Sequence, residues 1–92
     1  MRPIGFADIE YVTRVVLAAP RNEAERIVAE ICQRAHDADR YRTHFDAMHP
    51  CFGTGTLMSA AQNFKLHPRP PSFGKAELKA LKWVVDGLLA QM

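Results

Sequence analysis

The sequence carries no excess of charge of either sign: 12 Lys and Arg stand against 10 Asp and Glu, a formal net charge of +2. That excludes both the strongly basic balance of a dedicated polyanion binder and the acidic balance of a solvating tail. Cysteine is scarce as well. Cys32 and Cys51 are the only two, too few for a disulfide framework, and as free thiols they suit a reducing compartment. No uncharged apolar run approaches the ~20 residues of a membrane span, and Met1-Arg2-Pro3 leads into Asp8 and Glu10 rather than into a signal-peptide core. The expectation is a cytoplasmic protein without membrane contact. Also missing are any β-alternation long enough for a strand and any repeat of 20 to 50 residues.

What is present is apolar surface: 48% of the 92 residues are hydrophobic, enough to fold and too much for a disordered chain. A domain of this size buries only ~60% of the surface that its unfolded chain exposes, so self-association is a natural way to enlarge the core. The periodicity is helical throughout and predicts an all-α fold, a small bundle of about four helices over residues 8–19, 22–44, 56–64 and 75–89 in one domain (1–92). In the first, apolar residues occupy most of the circumference and only Glu10 and Arg14, an i,i+4 pair, look solvated. The second opens on Asn22 with Glu25 three residues later, the spacing of a capping box. Along it Ala24, Ile27, Val28, Ile31, Ala35, Ala38 and Phe45 share a face. His49-Pro50 breaks the pattern, Gly53 and Gly55 supply positions that tolerate positive φ, and Thr56 is placed to cap the third helix. Three prolines between Lys65 and Pro71 mark an extended surface connection. The fourth helix sets Leu78, Leu81, Val84, Val85, Leu88 and Leu89 on one face and Lys75, Lys79, Lys82 and Asp86 on another. Ala76, Ala80, Trp83 and Gly87 lie on a third, a stripe of small residues with one aromatic anchor that is a candidate interface for a second copy.

Three constellations could carry chemistry. Cys32, His36, His44, His49 and Cys51 form a ligand-rich stretch, yet their spacing matches no paired zinc signature, so no metal site and no cofactor are expected. A Cys51 nucleophile activated by His49 lacks a third group to orient the base. The turn Phe52-Gly53-Thr54-Gly55-Thr56 could receive an anion at a helix start, but it has neither the Lys of a Walker loop nor the strand and third Gly of a dinucleotide fingerprint. Its glycines are expected to make the turn and nothing more. The third constellation is the run Lys65, Arg69, Lys75, Lys79 and Lys82, opposed by Glu77 alone, which makes the C-terminal third locally basic. A helix-turn-helix would put Ser59, Gln62 and Asn63 on its reading helix. The stretch from Met48 to Gly55 is about twice the turn that motif uses, and the pI of 8.7 is below the ~9 of a nucleic-acid footprint, so nucleic acid is the alternative reading and not the first.

Ala38-Asp39-Arg40-Tyr41-Arg42, His49-Pro50, Gly53-x-Gly55-Thr56-Leu57-Met58 and Ala60-Ala61 together resemble a family of short bacterial proteins that carry a domain of unknown function. The resemblance implies an all-helical chain of similar length with no fixed cysteine at positions 32 and 51, and it brings no established activity. It also implies that the end of the second helix and the glycine turn belong together, with Asp39 or Arg40 bonding the His49 to Thr56 loop. The resulting expectation is a noncatalytic protein that acts through protein–protein contact, self-association included.

Overall fold

A computed structural model describes all 92 residues and contains four α-helices and no strand. Helix α1 covers Phe6–Leu17, α2 Ala24–Phe45, α3 Leu57–Ala60 and α4 Lys75–Ala90, with a 3-10 turn at Arg21–Glu23 ahead of α2. At 1.5 Å per residue α2 is about 33 Å long, against a longest molecular dimension of 43 Å. Helices α3 and α4 pack against it, while α1 packs chiefly against α4 and α3.

Local chemistry sets the helix ends, and not always as expected. Helix α1 starts two residues before Asp8, because the Asp8 carboxylate reaches back to accept the Gly5 N–H at 2.9 Å, and it ends at Leu17 rather than Ala19. Asn22 does not cap α2. Pro20 leads instead into the 3-10 turn, whose backbone supplies the entry, and no side chain caps the helix. Helix α2 ends on Asp46, a non-glycine residue in the left-handed region (φ 52°) whose N–H closes on the Arg42 carbonyl at 2.8 Å. Asp tolerates that conformation better than most side chains. Helix α3 is a single turn of four residues, because the chain leaves α geometry at Ala61 and bends back at Phe64. Glu10 and Arg14 are not paired with each other. Arg69 binds Glu10 at 2.7 Å and Arg14 Nε donates to the His67 carbonyl at 2.8 Å, so both residues strap the proline-rich connection onto α1.

One core of 15 residues joins all four helices, with Val12, Val15 and Val16 of α1 meeting Ile27, Val28, Ile31, Cys32 and Ala35 of α2, Leu57 and Ala60 of α3, and Ala80, Val84 and Leu88 of α4. Buried Thr13 stays satisfied by donating to the Ile9 carbonyl at 2.7 Å. Phe45, expected on the core face of α2, is 59% exposed because the core ends at Ala38, two turns earlier. Helix α4 is rotated from its expected setting. Two of the small residues point inward, Ala80 at 1% exposure and Gly87, on which a Cβ would stand 2.7 Å from Val28 Cγ1, while Ala76 stays exposed. The space Gly87 leaves lets the two backbones approach closely. In consequence Leu78, Val85 and Leu89, expected in the core, lie on the surface.

Candidate functional site

The glycine turn is where the sequence concentrates its unusual residues, and tertiary structure brings the ends of three segments to it. Gly53 (φ 82°) and Gly55 (φ 101°) both occupy the left-handed half of backbone space. Each is also pressed against a neighbour, since a Cβ on Gly53 would lie 2.6 Å from Ser59 Cβ and one on Gly55 2.9 Å from Asp39 Cβ. Thr56 caps α3 as expected, accepting the Ser59 N–H at 3.2 Å, and Ser59 Oγ in turn accepts the Thr54 N–H at 3.3 Å.

Several of the donors that could have held an anion are already used. His49 Nδ1 accepts both the Cys51 and the Phe52 N–H at 3.0 Å, and the Met58 N–H donates to Asp8 Oδ1 at 3.1 Å. The anion at the start of α3 is therefore the chain's own Asp8, fifty residues upstream, which fastens α1 and α3 with one carboxylate. Accepting two bonds leaves His49 Nδ1 without a proton. That nitrogen is committed to the backbone of Cys51 and Phe52 and not to the Cys51 thiol.

The residues paired with this loop by resemblance divide. Asp39 reaches it through packing: Gly55 rests on its Cα and Cβ, while its carboxylate binds the α-amino group of Met1 at 3.1 Å and Arg42 at 3.5 Å. The hydrogen bond from the Met1 amine is the main reason that its carboxyl is held below the usual carboxylate range. Arg40 does not reach the loop. It lies on the surface and binds Asp37 at 2.8 Å, and this bond, with one from Gln33, lowers the Asp37 pKa.

The cysteines and histidines do not converge. Cys32 is sealed in the core, where burial pushes its thiol pKa up, Cys51 is exposed, and no three His, Cys, Asp or Glu side chains are grouped to hold a metal ion. Helix α3 is too short to act as a reading helix, and Ser59 is occupied by Thr54 and Thr56. Two of the five basic residues of the C-terminal third are neutralised, Arg69 by Glu10 and Lys82 by Asp86 at 2.8 Å.

Two residues central to the loop escaped the sequence pattern. Arg34 of α2 lies over both Phe52 and Phe64, with its guanidinium carbon 5.2 and 4.9 Å from the ring centres, and so clamps the two ends of the α3 segment. Asp8 is the other. The Gly5-x-x-Asp8 spacing signals its role in α1, but nothing local signals its reach to Met58. His49 stacks on Phe52 with ring centres 4.6 Å apart and meets Tyr41 edge-on at 5.0 Å, which finishes the closure of the turn.

The fold defines a small all-α protein whose most distinctive segment is bonded largely within the chain. A protein-family model described as "Domain of unknown function (DUF7742)" matches residues 2–88, and the chain belongs to that family. No curated protein and no solved structure matches it.

Proposed function

We propose that the protein is noncatalytic and acts through protein–protein contact, with a second copy of itself as the partner that α4 selects. The observation that carries this reading is the outward stripe of α4: Leu78 is 54% exposed, Val85 38%, Leu89 64% and Met92, just past the helix, 79%. Their spacings of seven, four and three residues keep them on one side of the helix. Contiguous apolar surface of this kind marks contact sites, whereas scattered exposed leucines do not. Lys82 and Asp86 flank the stripe. An antiparallel pairing about a two-fold axis near Val84 and Val85 would set Leu78 against Met92 and Lys82 against Asp86 of the other copy, a self-complementary arrangement. One helix face buries less than the ~1,200–2,000 Å² of a standard interface, so the dimer is concentration-dependent rather than obligate. This interface replaces the stripe of Ala76, Ala80, Trp83 and Gly87. An exposed thiol at Cys51 supports a cytoplasmic setting.

Sedimentation equilibrium of the wild type and of Val85→Glu/Leu89→Glu tests the proposal. The wild type is expected to exceed 10.4 kDa as concentration rises, while the variant stays monomeric with an unchanged circular dichroism spectrum. A wild type that remains monomeric at high concentration, or a variant that associates equally well, overturns it. Duplex or single-stranded polyanions bound with a steep salt dependence would instead favour the nucleic-acid reading.

A further inference from the structure

The flank of α4 turned away from Leu78 and Leu89 borders a groove of about 520 Å³ between the end of α1 and the first half of α4. Its walls are apolar or small, with Leu17 on one side and Ala76, Ala80 and the half-buried Trp83 on the other. Three cations stand around it, Arg21, Lys75 and Lys79, and no carboxylate lines it. Lys75 and Lys79 have no acidic partner, in contrast to Lys82, which Asp86 holds. Arg21 lies over the Trp83 ring at 5.1 Å. That pair divides the groove from a second one of about 470 Å³, into which Glu25 and Asp86 face. Negative charge therefore lies beyond Trp83, and the side toward Lys75 is wholly cationic.

We propose that this cationic groove binds an amphipathic carboxylate, a small molecule with an aliphatic chain that lies along Leu17, Ala76 and Trp83 while its anionic end meets Lys75 and Lys79. The volume falls within the usual range of small-molecule sites, ~300–1,000 Å³. Lys75 to Trp83 covers about 12 Å of helix axis, in which an extended peptide would have only about four residues, so the dimensions favour a small ligand. The groove is on a different flank of α4 from the self-association stripe, and the two can be tested separately.

Trp83 is the sole tryptophan and reports directly on occupancy. Titration with sodium octanoate is expected to give a saturable change in its fluorescence. Octanol, octylammonium and acetate, which lack respectively the charge, its sign and the chain, should bind at least several-fold more weakly. Lys75→Ala/Lys79→Ala should raise the octanoate Kd about tenfold, the combined effect of two partly solvated ion pairs. Ala76→Phe, at an exposed position, should fill the groove and abolish the response, while Leu89→Glu, on a different flank of the helix, leaves the Kd unchanged. No saturable response, equal binding of octanol or octylammonium, an unchanged Kd in the double-lysine variant, or a response preserved in Ala76→Phe would each overturn the proposal. Circular dichroism of each variant, required to match the wild type, keeps misfolding from passing as lost binding.

Discussion

The glycine turn and helix α4 were both candidate sites on sequence grounds, and the fold treats them in opposite ways. In the turn, His49, Ser59, Thr56 and Asp8 accept the N–H groups of Cys51, Phe52, Thr54, Ser59 and Met58, most of them part-buried, and two aromatic rings and Arg34 cover the result. In α4 the chain turns Ala80, Val84, Gly87 and Leu88 inward and leaves three large apolar side chains of the helix outside. The difference follows from the energies at stake. A buried N–H without a partner costs about 1–3 kcal/mol and gains nothing in any assembly, so a fold must satisfy it internally. An exposed leucine merely forgoes burial, which a second copy can still provide. Polar groups are closed off within the turn, and the apolar openness of α4 marks the surface proposed for contact.

The strongest way to break the closed region is Gly55→Val. Its backbone sits at φ 101°, and the added Cβ would meet Asp39 Cβ at 2.9 Å and Asp39 Cα at 3.1 Å, neither of which can move without shifting α2. Strain and overpacking together should cost about 3 kcal/mol or more, read as a lowered urea midpoint. Asp8→Ala comes next, since it removes the acceptor of both the Gly5 and the Met58 N–H groups. A loss of about 2 kcal/mol is expected, and Asp8→Asn, which keeps one acceptor oxygen, should recover part of it. Recovery to full stability would show that the charge at the start of α3 contributes nothing.

Gly87→Ala sharpens the comparison from the other side. At an ordinary helical position the change stabilises by about 1 kcal/mol. Here the methyl would meet the stiff Val28 side chain at 2.7 Å, and the net outcome should be a destabilisation of about 1 kcal/mol. Combining it with Val28→Ala should show favourable coupling in a double-mutant cycle, and additivity would contradict the close approach of α4 and α2. The smallest effect is expected on the exposed side of α2. Asp37→Asn loses the bonds from Arg40 and Gln33 and should cost under about 0.5 kcal/mol at pH 7. Because the folded pKa of Asp37 is lowered, the wild-type advantage is present above the ordinary carboxylate pKa. It should fade as the pH is taken below about 4. An advantage that grew on acidification would have the wrong sign for that pairing.

Sequence by itself determined the helical class, the number of helices, the left-handed glycines and the Thr56 cap, because each rests on residues within one or two turns of one another. It also found the α2 core face as far as Ala38. Other features were beyond it for identifiable reasons. Asn22 and Glu25 have capping-box spacing, but the path of the chain after Pro20 decided against a cap. Glu10 and Arg14 have ion-pair spacing, yet His67 and Arg69, more than fifty residues away, took each of them. Asp8 carries a signal for one helix and none for the second that it holds. The rotation of α4 is the clearest case. Leucine and alanine faces on one helix are both apolar, and periodicity cannot rank them. The ranking came from packing against Val28, which Gly87 lets α4 approach closely, and that contact turns Ala80, Val84 and Leu88 inward. Short-range chemistry made the elements, and only close packing between them decided which surface of α4 the protein keeps for itself and which it offers outward.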